Sequence, residues 1–159
     1  MSMSMGVPEE ARAAERARLR KVIADLDYGR ELRRLHENGH SYKDIARLMR
    51  VTEPAVRNTL HAAAKAAMPL DGFSSATPEE ICERYGAGFI DRDQLIDELS
   101  RYPYAPGGHT DGYDTLIFDP PGAWSEVSAA RWRGLIDDDV YEEVFNRRHP
   151  ARKRDKSER

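Results

Sequence analysis

The stretch SYKDIARLMRVTEPAVRNTLHAAAK, residues 41 to 65, admits few conformations. Apolar residues recur at helical spacing on both sides of a short gap, with Ile45, Ala46 and Met49 before it and Val56 and Leu60 after it. Ser41 can cap the first helix, with Asp44 three residues on in a capping box that uses Asp in place of Glu or Gln. Val51 is expected to fill the turn, Thr52 to cap the second helix and Pro54 to sit in its first turn. Ala46 is small enough for the second helix to cross closely. That leaves Glu53, Ala55, Arg57, Asn58 and His61 pointing mostly outward.

Upstream, residues 1–7 are expected to be disordered. PEEARAAERARLRKVIADLD then reads as a helix, opened by Pro8 and by acidic residues that suit a helix start. A second helix is predicted over about Tyr28 to Glu37, with Leu32 and Leu35 inward and a stop at Asn38-Gly39. Residues 8–68 would form one domain, and the Pro, Gly and Ser of 69–76 would form a linker.

In this setting residues 28 to 66 resemble the helix-turn-helix of sigma factor region four and related response-regulator DNA-binding domains. Ser41, Tyr42, Asp44, Ile45, Ala46, Met49, Thr52, Val56, Arg57, Asn58 and Leu60 carry the likeness. Arg50 departs from it, because the family has Gly there in a left-handed turn. The resemblance implies duplex DNA as partner, with the second helix in the major groove. Glu53, Ala55, Arg57, Asn58 and His61 would then face base edges: Glu53 can accept from cytosine, Asn58 can pair with adenine, and Arg57 can reach guanine or phosphate. Ser41, Tyr42, Lys43, Arg47 and Thr52 would hold the backbone. The competing reading is a helical hairpin for protein contacts.

Charge is divided in a way that fits a polyanion at one end only. Residues 1–70 hold 13 Lys/Arg against 9 Asp/Glu, a net of +4, whereas residues 71–150 hold 7 against 17, a net of −10. The tail ARKRDKSER brings the total to −3, and residues 149–159 are expected to be a basic, disordered end.

A repeat organises the acidic part. At an offset of 46, Gly88 meets Gly134, Phe89-Ile90-Asp91 meets Leu135-Ile136-Asp137, and Leu99 meets Phe145. Both copies read as helix, Gly, two apolar residues, Asp cap, helix. Residues 77–148 are therefore expected to form an acidic helical domain of two similar hairpins, 78–101 and 125–147, packed as a pseudo-symmetric four-helix unit. The connection between them is rich in Pro, Gly and aromatics; Tyr104, Tyr113 and Trp124 can order it or anchor a partner. Thr115 to Phe118 reads as a short extended piece.

Other features yield no catalytic site. DPPG (119–122) resembles the Asp-Pro-Pro-aromatic element of DNA amino-methyltransferases, but it lacks the aromatic and no glycine-rich cofactor loop accompanies it. His109, Asp111 and Asp114 match no metal-ligand spacing, and Cys82 has no suitably spaced His. The sequence thus predicts a non-enzyme without metal or cofactor. A single cysteine and the absence of an apolar run of roughly 18 to 20 residues point to the cytoplasm and away from membranes. The expected fold is mainly α, and the expected function is sequence-specific DNA binding, as in a transcriptional regulator. Its acidic unit would serve homo-oligomerisation, a protein partner or autoinhibition. A viral DNA-packaging or assembly subunit and a protein-interaction adaptor without DNA binding are the alternatives.

Overall fold

The chain continues one helix through the point where two were expected. In a computed structural model, which describes residues 6–106 and 120–149, α1 runs unbroken over Arg12–Glu37, 26 residues, behind a 3-10 turn at Glu9–Ala11. Then follow α2 (Tyr42–Met49), α3 (Glu53–Lys65), α4 (Pro78–Gly86), α5 (Arg92–Arg101), α6 (Ser125–Trp132) and α7 (Asp138–Arg148). The protein is mainly α, with no strand among the described residues. None of the described helices is long and apolar enough to cross a membrane. Residues 1–5, the tail from 150, and the features read at His109, Asp111, Tyr113, Asp114 and Thr115 to Phe118 lie outside the described residues. Gly6 and Val7, expected to be disordered, instead lie beside Gly134 and Leu135.

Gly29 does not interrupt α1. A glycine inside a helix costs only about 1 kcal/mol relative to alanine, too little to end a helix that is packed on both sides. Here its bare backbone admits α3, since a Cβ placed on Gly29 would lie 3.1 Å from the Cβ of Ala63. Gly29→Val is accordingly expected to cost about 1–3 kcal/mol by forcing α1 and α3 apart. Urea denaturation reads this directly, and an unchanged midpoint would show that the crossing is loose.

The second half of α1 packs with α2 and α3 around Leu32, Ile45, Ala46, Val56 and Leu60. The predicted caps form: the Asp44 N–H donates to Ser41 Oγ at 3.1 Å, and the Ala55 N–H to Thr52 Oγ1 at 3.2 Å. Met49, expected on the inward face, and Val51, expected to fill the turn, are both exposed beside Leu48.

The other four helices realise the repeat. α4 packs on α6 and α5 on α7, so equivalent helices face each other across a core of Ile81, Leu95, Leu99, Val127, Val140 and Val144. Asp91 accepts from the Gln94 N–H and Asp137 from the Val140 N–H, both at 2.8 Å. Glu80 accepts the N–H of Ala76, and Glu126 that of Gly122, again four residues back and 46 apart in the chain. Gln94 also donates its side-chain amide to Glu98, at 3.0 Å.

The first half of α1 lies against α4, with Leu19 over Gly86 and Arg20 Nε donating to the Ala87 carbonyl at 2.8 Å. One helix thereby belongs to both clusters. Deeper in, Arg30 of α1 grips Glu80 of α4 through two hydrogen bonds, at 2.7 and 2.9 Å, and reaches the Ala67 carbonyl at 2.8 Å. Arg84 binds the other side of Glu80 at 3.0 Å and both oxygens of Asp27 at 2.8 and 2.9 Å. Residues 69–76, expected as a linker, are part of this joint: Ser75 and Ala76 are buried, and the Ala76 carbonyl accepts from the Tyr102 hydroxyl at 2.8 Å.

Candidate nucleic-acid interface

Helix α3 divides cleanly into two faces. Val56, Leu60 and Ala63 are buried against α1 and α2, and this fixes the rotation of the helix. Glu53, Arg57, Asn58 and His61 consequently stand exposed on the other side. None of these four side chains makes a hydrogen bond or ion pair with the described protein, so their donors and acceptors are open to a ligand. Ala55, expected on this face, is half-buried and contributes a small apolar contact only.

The residues expected to hold a phosphate backbone separate into two kinds. Lys43 and Arg47 are exposed one turn apart on α2, with Arg47 only loosely paired to Asp44 at 3.7 Å. Ser41 and Thr52 have their hydroxyl oxygens engaged as caps, which leaves the hydroxyl hydrogens free to donate. Tyr42 is half-buried, packs on the apolar cluster, and stands 4.9 Å from the ring of His36. That packing holds the start of α2 against the cluster.

Arg50 closes α2 in the left-handed region, with φ 58° and ψ 43°. The Val51 N–H donates back to Ala46 and the Arg50 N–H to Arg47, a paired helix-end motif. Its guanidinium is exposed and without a partner among the described residues.

The remaining expectations are redistributed by packing. Tyr104 and Trp124, read as partner contacts, are used within the chain. Tyr104 donates to the Leu99 carbonyl at 2.7 Å, Trp124 donates to the Tyr141 hydroxyl at 3.2 Å, and the two rings lie 5.1 Å apart, edge to face. Burial pushes the Tyr104 phenol well above its ordinary pKa, which keeps it neutral. Burial likewise pushes the Cys82 thiol up to about 12, so it is no nucleophile at neutral pH. The acidic helices dock on α1, not on the outer face of α3. Exposed Phe89 and Trp132, the latter 64% accessible, are the large apolar side chains that the C-terminal helices leave uncovered; the repeat included Phe89 as an apolar position, and sequence spacing had not singled out Trp132.

Compared with protein-family models, curated proteins and solved structures, the chain matches none. The resemblance over residues 28–66 therefore stands on those residues alone.

Proposed function

We propose that this protein binds duplex DNA by inserting α3 into the major groove, and that it reads sequence there as a transcriptional regulator. The observation that carries the proposal is the outer face of α3, where Glu53, Arg57, Asn58 and His61 are exposed and unpartnered on a helix whose other face is fixed in the core. Arg and Asn present the paired donors and acceptors that guanine and adenine edges require. Lys43 and Arg47 add phosphate affinity on the neighbouring helix. The assignment is to a cytoplasmic binding protein, not to an enzyme. We assign self-association to the C-terminal helices, on the strength of exposed Phe89 and Trp132. Paired copies would set two α3 helices about one DNA turn apart.

Selection of the full chain against a random duplex library at moderate salt, followed by sequencing, tests both parts. Enrichment of a single motif is the expected result, and an inverted repeat with centres about 10 base pairs apart would report the paired form. No enrichment would overturn sequence-specific binding and favour a protein-contact hairpin. A lone half-site would overturn self-association.

A further inference from the structure

We propose that Arg50 is a phosphate contact of this same face, retained at a backbone position that its own side chain disfavours; the inference rests on the DNA-binding reading above. Four helix ends in the chain share one closing motif. In each, the residue in the left-handed region and the one after it donate backward to the helix: Gly39 to His36 and His40 to Leu35, Gly88 to Tyr85 and Phe89 to Arg84, Gly134 to Arg131 and Leu135 to Ala130, and Arg50 to Arg47 and Val51 to Ala46. Glycine occupies the left-handed position in three of the four, and Arg50 is the one described non-glycine residue with positive φ. A Cβ there crowds the following carbonyl, so glycine is the better residue for the motif itself.

Nothing within the described protein offsets that strain. The Arg50 side chain is exposed, and it pairs with none of the surrounding carboxylates. Its position does fit a polyanion: Lys43, Arg47 and Arg50 recur at intervals of four and three residues along α2 and into the turn. The turn leads within three residues to α3, whose open face carries Arg57 and Asn58. A backbone outlier kept with a solvent-facing cation is what a site built for an outside anion would show.

Three proteins, wild type, Arg50→Gly and Arg50→Lys, are titrated with the duplex that the wild type selects, over a range of salt concentrations. Arg50→Gly is expected to melt about 2–4 °C higher, and its plot of log affinity against log salt should be shallower by about 0.9, one phosphate contact fewer. Arg50→Lys should keep the wild-type slope. If Arg50→Gly melts higher with an unchanged slope, Arg50 is tolerated strain and the inference fails while DNA binding stands. A lower melting temperature for Arg50→Gly would remove the premise of strain and also overturn it. Failure of the wild type to bind any duplex would overturn the underlying DNA reading.

Discussion

Replacing Glu80 by alanine is expected to remove about 3–5 kcal/mol of stability and to lower the melting temperature by roughly 10 °C or more. Its carboxylate lies between two guanidiniums, and the side chains of Arg30, Glu80 and Arg84 are only 4%, 8% and 10% exposed. Without Glu80, Arg30 keeps the Ala67 carbonyl and a looser pair with Asp27 at 3.6 Å, and its Nε is already unpaired and buried. Two cations would then be left to share the single carboxylate of Asp27, in a space that admits little water. The exposed pair Arg34–Glu31, at 2.6 Å, supplies the control, because its side chains are 55% and 62% accessible. Glu31→Ala should cost no more than about 0.5 kcal/mol. Equal midpoints for the two variants in chemical denaturation would show that the buried joint does not hold the fold together.

The same joint predicts an acid limb. Burial alone would raise the Glu80 pKa, but hydrogen bonds from Arg30 and Arg84, the attraction of Arg30 and the Ala76 amide outweigh it and hold it below its ordinary value. Asp27 is held low chiefly by its hydrogen bonds from Arg84. A depressed carboxylate contributes its full stability above the unfolded pKa of about 4 and loses it as pH falls through the lower folded value. Glu83 runs the other way, because burial and the neighbouring Glu79 raise its pKa, so its protonation on acidification relieves a cost. Both carboxylates of the joint lose their contribution on acidification, and stability should fall below about pH 4. Glu80→Gln should flatten that limb, whereas an identical limb in the variant would assign the acid sensitivity elsewhere.

The second large effect falls on recognition. Arg57→Ala and Asn58→Ala together are expected to reduce the ratio of specific to nonspecific DNA affinity by about 10²- to 10³-fold, at roughly 1–3 kcal/mol for each base contact. Both side chains are exposed and unpartnered, so stability should change by less than about 0.5 kcal/mol. Lys43 and Arg47 remain, and nonspecific binding with its salt dependence should survive. The measurement is a competition between the selected duplex and scrambled duplex, alongside thermal melting. Undiminished preference in a folded variant would place the reading face elsewhere on the protein.

Local chemistry was readable before the fold was known. Ser41, Thr52, Asp91 and Asp137 each cap the helix predicted for them, because a cap needs only its own side chain and an N–H three residues on. The offset of 46 announced paired hairpins, since Asp91 and Asp137 close the same short motif after Gly88 and Gly134. The outer face of α3 was equally legible, because helical periodicity separates Val56 and Leu60 from Arg57 and Asn58 without reference to anything distant.

What spacing could not disclose depends on partners far along the chain. Local spacing divided α1 near Tyr28, yet beside it, at Gly29, Ala63 of α3 crosses an unbroken helix. Residues 69–76 had the composition of a linker, yet Ser75 lies under Arg84 and Ala76 under Tyr102. Tyr104 and Trp124 were open to a partner until the fold brought them to each other and to Tyr141. Helix ends, periodic faces and the repeat were set by the sequence itself, through interactions that close within a few residues. The unbroken α1, the Arg30–Glu80–Arg84 joint and the burial of the aromatics were decided only in three dimensions, where ion pairing joins residues 50 and 57 positions apart.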